Sequence, residues 1–120
     1  MDKAQVAKLV DATASGAVDE SRGGSSPLLG TKTHEALIIT AEECAEVTQQ
    51  ICKIIRFGLD TPYVTAGDGS TNREQLEKEI GDLMALIDIL QKQDVISYAA
   101  VERASEAKIA KLHTWSTLFE

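Results

Sequence analysis

The sequence predicts an all-α fold: an antiparallel bundle of three long helices that follows a short or disordered N-terminal segment. Apolar residues make up 43% of the 120 residues but aromatic residues only 4%, so Ala, Ile and Leu must fill the core, which favours helices over a β-sandwich. After the first 31 residues the apolar side chains recur with a helical period, and no segment carries the signals of a strand.

The composition of the chain changes at about residue 31. Residues 15–31 consist largely of Gly, Ser and scattered charge, which is typical of a flexible linker, whereas residues 4–14 can form a short helix. We therefore expect a flexible, poorly ordered extension over residues 1–31 and a helical domain over residues 32–120.

The first long helix is predicted to begin near Thr33 and to end at Gly58. Glycine is common just past a helix C-terminus, and Arg56 lies in the last turn, where a cation suits the helix dipole. The two cysteines are eight residues apart, about 12 Å along a helix axis, which is too far for a disulfide. We interpret them as small buried side chains in a reducing cytoplasm. The predicted apolar stripe consists of Leu37, Ala41, Cys44, Ala45, Thr48, Ile51, Cys52 and Ile55.

Two further helices are predicted after a loop over residues 58–70, which is long enough to be functional or mobile. Thr71 and Glu74 match a capping box and predict the start of the second helix. Asp94 is predicted to cap the third helix, which runs to about Trp115. The apolar stripe of the second helix consists of Leu76, Ile80, Leu83, Met84, Ile87 and Leu90.

Two acidic pairs with the same spacing lie on the first and second helices. Glu43 and Glu46 are three residues apart, as are Glu79 and Asp82, so each pair projects from one face of its helix. Because Mg²⁺ and Mn²⁺ prefer oxygen ligands, four converging carboxylates predict a divalent metal site. Gly81 lies inside the second pair, either because a ligand or another backbone approaches closely there or because the helix tolerates it.

Other interpretations of the acidic pairs compete with this metal site. They can form a solvated acidic face with surface ion pairs such as Glu74 to Lys78. A di-iron bundle needs Glu-x-x-His on two helices, but Gln49 and Ala85 stand where the histidines are required. The sequence also lacks nucleophilic triads, P-loops and dinucleotide fingerprints.

The net charge of −7 argues against nonspecific binding to nucleic acid or to an anionic membrane. No apolar run approaches the roughly 20 residues of a membrane-spanning helix, and the N-terminus lacks the apolar core of a signal peptide. We therefore expect a cytoplasmic protein that binds neither nucleic acid nor membrane. An anionic substrate is compatible with this charge, since metal ions reverse the local sign.

The motif Glu42-Glu43-x-x-Glu46, followed by Glu79-x-x-Asp82, resembles the signature of the MazG-like, all-α nucleoside triphosphate pyrophosphohydrolases. The flanking segments are similar to those of small phage and bacterial members: Ala41-Glu42-Glu43-Cys44-Ala45-Glu46, Arg56-Phe57-Gly58, Asn72-Arg73 and Glu79-Ile80-Gly81-Asp82-Leu83. The resemblance covers about residues 33–115 and none of residues 1–31.

The resemblance implies an enzyme that hydrolyses a nucleoside triphosphate to the monophosphate and pyrophosphate, by attack of metal-activated water on the α-phosphorus. By motif position, Mg²⁺ or Mn²⁺ would be held by Glu43, Glu46, Glu79 and Asp82. Glu42 would act beside Glu43 in catalysis by orienting water. The family forms dimers or dimers of dimers, which implies a homo-oligomer here and fits a bundle with too few helices to cover its apolar faces.

Cationic residues beyond the motif are candidates for binding the substrate, because a triphosphate tail needs positive charge in addition to the metal. Lys53 and Arg56 are candidates on the first helix, and Lys108 and Lys111 could act from the facing third helix. Two alternatives remain open at this point: a noncatalytic helical module whose acidic groove binds a partner or a cation, and the related phosphoribosyl-ATP pyrophosphohydrolase.

Overall fold

The computed structural model describes residues 29–63 and 67–120, and in these residues the chain forms three α-helices and no strand. They are α1 (Thr31–Phe57), α2 (Asn72–Lys92) and α3 (Tyr98–Trp115). The predicted all-α class is thereby confirmed. The predicted extension, with its short helix over residues 4–14, lies outside the described residues apart from its last three positions, and α1 already begins at Thr31.

Helices α1 and α2 pack against each other as an antiparallel hairpin. Near the loop, the side-chain nitrogen of Gln50 donates to the backbone oxygen of Asn72 over 3.1 Å. Farther from the loop, Glu43 of α1 lies beside Glu79 and Asp82 of α2. The two helices therefore run in opposite directions, as expected for the predicted antiparallel bundle.

The side of α1 that faces α2 differs from the predicted apolar stripe. Its buried residues are Ala36, Glu43 and Gln50, which follow one another at intervals of seven. At 100° per residue, Ile51 and Ile55 lie about 80° to 120° around the helix from Glu43. Helical periodicity alone does not show whether α2 packs on the side of Glu43 or on the side of Ile51 and Ile55. The exposed members of the predicted stripe are Cys44, Thr48, Ile51, Cys52 and Ile55, so the expectation of buried cysteines was wrong.

The connection between α1 and α2 follows the turn signals in the sequence. Gly58 ends α1 with a φ of 100°, and its N–H donates to the oxygen of Ile54 over 2.8 Å. Thr71 and Glu74 form the predicted capping box at the start of α2. Asn72 ties the two ends of the loop together, because its side chain donates to the oxygen of Gly58 over 3.0 Å.

The prediction that Asp94 caps the third helix was wrong. Asp94 has a φ of 58° and follows the C-terminal cap of α2. Its N–H donates to the oxygen of Gln91 and that of Val95 to the oxygen of Leu90, both over 3.0 Å, which is the Schellman pattern of a helix end. Aspartate tolerates this left-handed conformation better than most residues. Ser97 caps α3 instead, by accepting from the N–H of Ala100.

Helix α3 does not complete the predicted three-helix bundle within the described chain. None of its residues is buried, and the packed helix pair is α1 with α2. A hydrogen bond of 2.7 Å from the Tyr98 hydroxyl to Asp88 joins the start of α3 to α2. Many large apolar side chains therefore face outward, among them Ile55, Met84 and Trp115, which are 77%, 63% and 83% exposed. No described helix has the length and apolar character needed to cross a membrane.

Candidate metal centre

Three carboxylates converge at the middle of the α1–α2 hairpin. Glu43 projects from α1 and is only 3% exposed, while Glu79 and Asp82 project from α2. One carboxylate oxygen from each residue can be chosen so that all three lie within 4.8 Å of one another. Three negative charges at this distance repel one another, and a nearby cation reduces this repulsion. We call these three residues the carboxylate cluster.

The fourth predicted ligand and the predicted water-orienting residue lie close by on α1. Glu46 is half-buried one turn after Glu43, but its carboxylate is not part of the group within 4.8 Å. Glu42 is half-buried directly before Glu43. The structure thus brings together three of the four predicted ligands, across two helices and more than thirty residues of sequence.

Lys78 supplies positive charge at the cluster. Its ammonium lies 2.9 Å from Asp82 Oδ2 and 3.7 Å from Glu79 Oε1. The hydrogen bond to Asp82 raises the pKa of Lys78, partial burial opposes this, and the charges of Glu79, Asp82 and Glu43 raise it further. The surface pair of Lys78 with Glu74, considered from the sequence, is not formed, because Glu74 belongs to the cap of α2.

One carboxylate oxygen of the cluster, Glu79 Oε2, is buried and lacks a hydrogen-bond partner among the described residues. A buried carboxylate oxygen left in this way costs free energy unless a cation or a water satisfies it. Together with the all-oxygen donor set, it fits Mg²⁺ or Mn²⁺.

A pair of buried amides fixes the hairpin near its loop. Gln50 and Asn72 are 4% and 3% exposed, and Gln50 donates to both the backbone and the side-chain oxygen of Asn72. Gln50 lies seven residues after Glu43 and on the same line of α1, so this contact also sets the register that brings Glu43 to α2.

The predicted phosphate-binding residues of α1 lie beyond the cluster, toward the loop. The half-buried Lys53 donates to the hydroxyl of Tyr63, and its ammonium lies 4.4 Å from the centre of the Tyr63 ring. Arg56 is exposed, with its guanidinium 4.8 Å from the centre of the neighbouring Phe57 ring. In this structure Lys53 thus contacts the loop rather than the carboxylates.

Lys108 and Lys111, the candidates on the third helix, are exposed. Helix α3 does not pack across α1, so the facing position expected for these two lysines is not formed within the described chain. The expectation assumed a closed three-helix bundle, and α3 leaves the hairpin after its contact at Tyr98.

Gly81 does not mark a close approach of backbone within this chain. A Cβ atom built at Gly81 would meet nothing within 4 Å among the described residues, and the residue is exposed. The surface between Glu79 and Asp82 is open at Gly81. Packing among the described residues therefore does not require a glycine there, and the helix simply tolerates it.

Sequence reasoning missed three residues that shape the site: Lys78, Gln50 and Asn72. The four-residue spacing of Lys78 and Asp82 was a usable signal, because such pairs face each other on a helix. No local pattern reveals the contact between Gln50 and Asn72, since it depends on how two helices meet.

Comparisons of the chain with protein-family models, with curated proteins and with solved structures find no match. The resemblance to the MazG-like enzymes therefore rests on the two acidic motifs and their flanks.

Proposed function

We propose that the chain is a Mg²⁺-dependent nucleoside triphosphate pyrophosphohydrolase of the MazG-like kind, acting in the cytoplasm. The observation that carries the proposal is the convergence of Glu43, Glu79 and Asp82 within 4.8 Å. These residues belong to the two halves of the motif on which the resemblance depends, and a solvated acidic face would not require them to meet across two helices. The buried position of Glu43 also argues against a solvated face.

Glu43, Glu79 and Asp82 would hold the metal, with Glu46 joining from the next turn of α1. A bound Mg²⁺ or Mn²⁺ supplies neutralising charge, polarises phosphate oxygens and lowers the pKa of water. The hairpin would contribute by placing the carboxylates together before substrate arrives, so less reorganisation is needed during the reaction.

The remaining roles follow from position along α1. Lys53 lies ten residues after Glu43, on the loop side of the carboxylates, and we assign it to the outer phosphates of a substrate whose α-phosphate lies at the carboxylates. This role requires Lys53 to leave its contact with Tyr63. Arg56 lies one turn farther along. The half-buried Glu42 orients the attacking water beside Glu43.

The reaction is hydrolysis at the α-phosphorus. Water adds to this phosphorus, and the bond from it to the bridging oxygen breaks, so pyrophosphate leaves and the monophosphate carries an oxygen from solvent. We assign no covalent intermediate, because the motif contains no nucleophile paired with a base.

The test is a product assay over all canonical and common modified nucleoside triphosphates and phosphoribosyl-ATP, with Mg²⁺ or Mn²⁺. We expect pyrophosphate, detected as orthophosphate only after inorganic pyrophosphatase is added, and ¹⁸O from labelled water in the monophosphate. Orthophosphate together with a diphosphate would contradict attack at the α-phosphorus. No turnover of any substrate would favour the noncatalytic module, and turnover of phosphoribosyl-ATP alone would favour the phosphoribosyl-ATP pyrophosphohydrolase.

We also propose that the protein is a homodimer or a dimer of dimers. The described chain has only two buried apolar residues, Ala36 and Leu90, while Ile51 and Ile55 form an exposed apolar ridge on α1. Exposed apolar surface of this extent usually marks an interface. Light scattering at micromolar concentration should give a mass of at least two chains, and Ile55→Glu should shift the protein toward monomer. A monomeric wild-type mass would refute the proposal.

A further inference from the structure

Lys78 occupies an unusual position for a surface lysine. Its ammonium lies 2.9 Å from Asp82 and 3.7 Å from Glu79, two of the three members of the carboxylate cluster. Among the described residues, Lys78 is the cation that forms ion pairs with Glu79 and Asp82. A positive charge thus already lies where three carboxylates need one.

Lys78 pairs with the acidic residue four positions after it and not with the one four positions before it. This choice indicates that the carboxylate cluster, and not the general preference of an isolated helix, positions Lys78. On an isolated helix, an acidic residue placed four positions before a lysine pairs better than one placed four positions after it. Glu74 offers Lys78 the better arrangement, but Lys78 pairs with Asp82, while Glu74 bonds to the cap residue Thr71. Glu74 is engaged in the cap, and the additional charges of Glu79 and Glu43 favour the position of Lys78 beside Asp82.

We infer that Lys78 is the resident counter-ion of the carboxylate cluster and must release Asp82 and Glu79 before a divalent cation can take their oxygens. The inference rests on the proposed metal site and adds a regulating residue to it. Lys78 stabilises the hairpin without metal by reducing carboxylate repulsion, and it competes with the metal for the same oxygens. Its side chain is 57% exposed, so it can swing into solvent when the metal binds.

The chain contains a matched control for this inference. Lys92 pairs with Asp88 on the same helix, also over 2.9 Å and also at a spacing of four, but Asp88 belongs to no carboxylate cluster in the described residues. Replacing each lysine by methionine removes one charge and keeps most of the apolar stem. Only the Lys78 change should affect the metal.

The experiment measures Mn²⁺ affinity of the full chain by calorimetry for wild type, Lys78→Met and Lys92→Met, with melting curves in EDTA. We expect Lys78→Met to bind Mn²⁺ roughly fivefold more tightly than wild type, since an exposed ion pair contributes at most about 1 kcal/mol. It should also melt at a lower temperature in EDTA. Lys92→Met should leave Mn²⁺ affinity unchanged.

The possible failures can be told apart. If wild type and Lys78→Met bind Mn²⁺ equally, or if Lys92→Met has the same effect, the inference is wrong while the metal site stands. If neither wild type nor Lys78→Met binds Mn²⁺, both the metal site and the inference are wrong. Binding by Lys78→Met alone would support the inference strongly.

A measurement on wild type covers the case in which Lys78→Met does not fold. The ¹³Cε resonance of Lys78, assigned by its loss in Lys78→Arg, should shift when Mg²⁺ is added, and that of Lys92 should not. An unshifted Lys78 resonance at saturating Mg²⁺ would overturn the inference.

Discussion

The α1–α2 hairpin and helix α3 are equally regular helices, yet they relate to the rest of the chain in opposite ways. The hairpin buries three polar side chains, Glu43, Gln50 and Asn72, each in contact with the other helix. Helix α3 buries none of its residues, and its large side chains are 42% to 83% exposed at Tyr98, Val101, Ile109 and Trp115. The hairpin therefore brings charged groups together, whereas α3 leaves its apolar side chains exposed within the described residues.

The largest expected effect is on kcat, which substitutions in the hairpin should lower and a comparable substitution in α3 should not. Glu43→Gln or Asp82→Asn should each lower kcat at least ~10²-fold, because losing a ligand disturbs both the metal and the groups it orients. Glu106→Gln on α3 removes the same kind of charge at an exposed position and should change kcat little. Steady-state pyrophosphate release measures all three. Full activity in both hairpin variants would mean that the cluster is not the reaction centre.

The next effect compares the stability of the two regions. Asn72→Ala removes two hydrogen bonds of the Asn72 side chain, one from Gln50 and one to the oxygen of Gly58, so we expect a loss of about 2 kcal/mol in the free energy of unfolding. Ser97→Ala removes the cap of α3 and should cost about 1 kcal/mol or less. Urea unfolding followed by circular dichroism measures both. A larger loss for Ser97→Ala would reverse our ranking of the two regions.

A smaller effect concerns metal and the stability of the hairpin. Saturation of the cluster at tenfold above the dissociation constant adds about 1.4 kcal/mol, so Mg²⁺ or Mn²⁺ should raise Tm by several degrees over EDTA. Glu46→Gln should weaken this response, whereas Glu102→Gln on α3 should not. Identical melting curves with EDTA and with excess Mg²⁺ would count against a metal site.

The same comparison explains which parts of the structure could be predicted. Local signals placed the helices well: Gly58 ends α1, Thr71 and Glu74 cap α2, and α3 runs to Trp115. The motif spacing also predicted the meeting of Glu43, Glu79 and Asp82, because the motif repeats on two helices that are neighbours in the chain.

The errors concern contacts that no local pattern fixes. Ile51 and Ile55 follow the helical period but lie about 80° to 120° around α1 from the line of Glu43 that faces α2, and they remain exposed. Asp94 looked like a helix start because aspartate favours N-caps, yet it also tolerates the left-handed conformation that ends α2. The position of α3 was predicted wrongly because no local pattern shows whether a third helix packs across the first two.

The smallest expected effect acts on the contact between the two regions. Asp88 accepts hydrogen bonds from Lys92 and from the Tyr98 hydroxyl, which lower its pKa, the bond from Lys92 contributing most. Because its pKa is lowered, the Asp88 carboxylate stabilises the folded chain at pH values above its pKa in the unfolded chain, which is about 4. This contribution is lost as the pH falls through the pKa of the folded chain. The bond to Asp88 also raises the pKa of Tyr98, so its contribution is present below about pH 10 and lost as the pH rises through the folded pKa.

The contact of α3 with α2 should therefore hold between these limits and loosen on both sides of them. Amide chemical shifts of the first turn of α3, at residues 98–101, should stay constant between pH 5 and 9 and move at either extreme. Tyr98→Phe keeps the ring but removes the hydroxyl, so it should already show shifted resonances at pH 7 and lose the alkaline transition. If the variant and wild type give the same shifts across the range, the hydroxyl does not hold α3, and its position depends on apolar contacts alone.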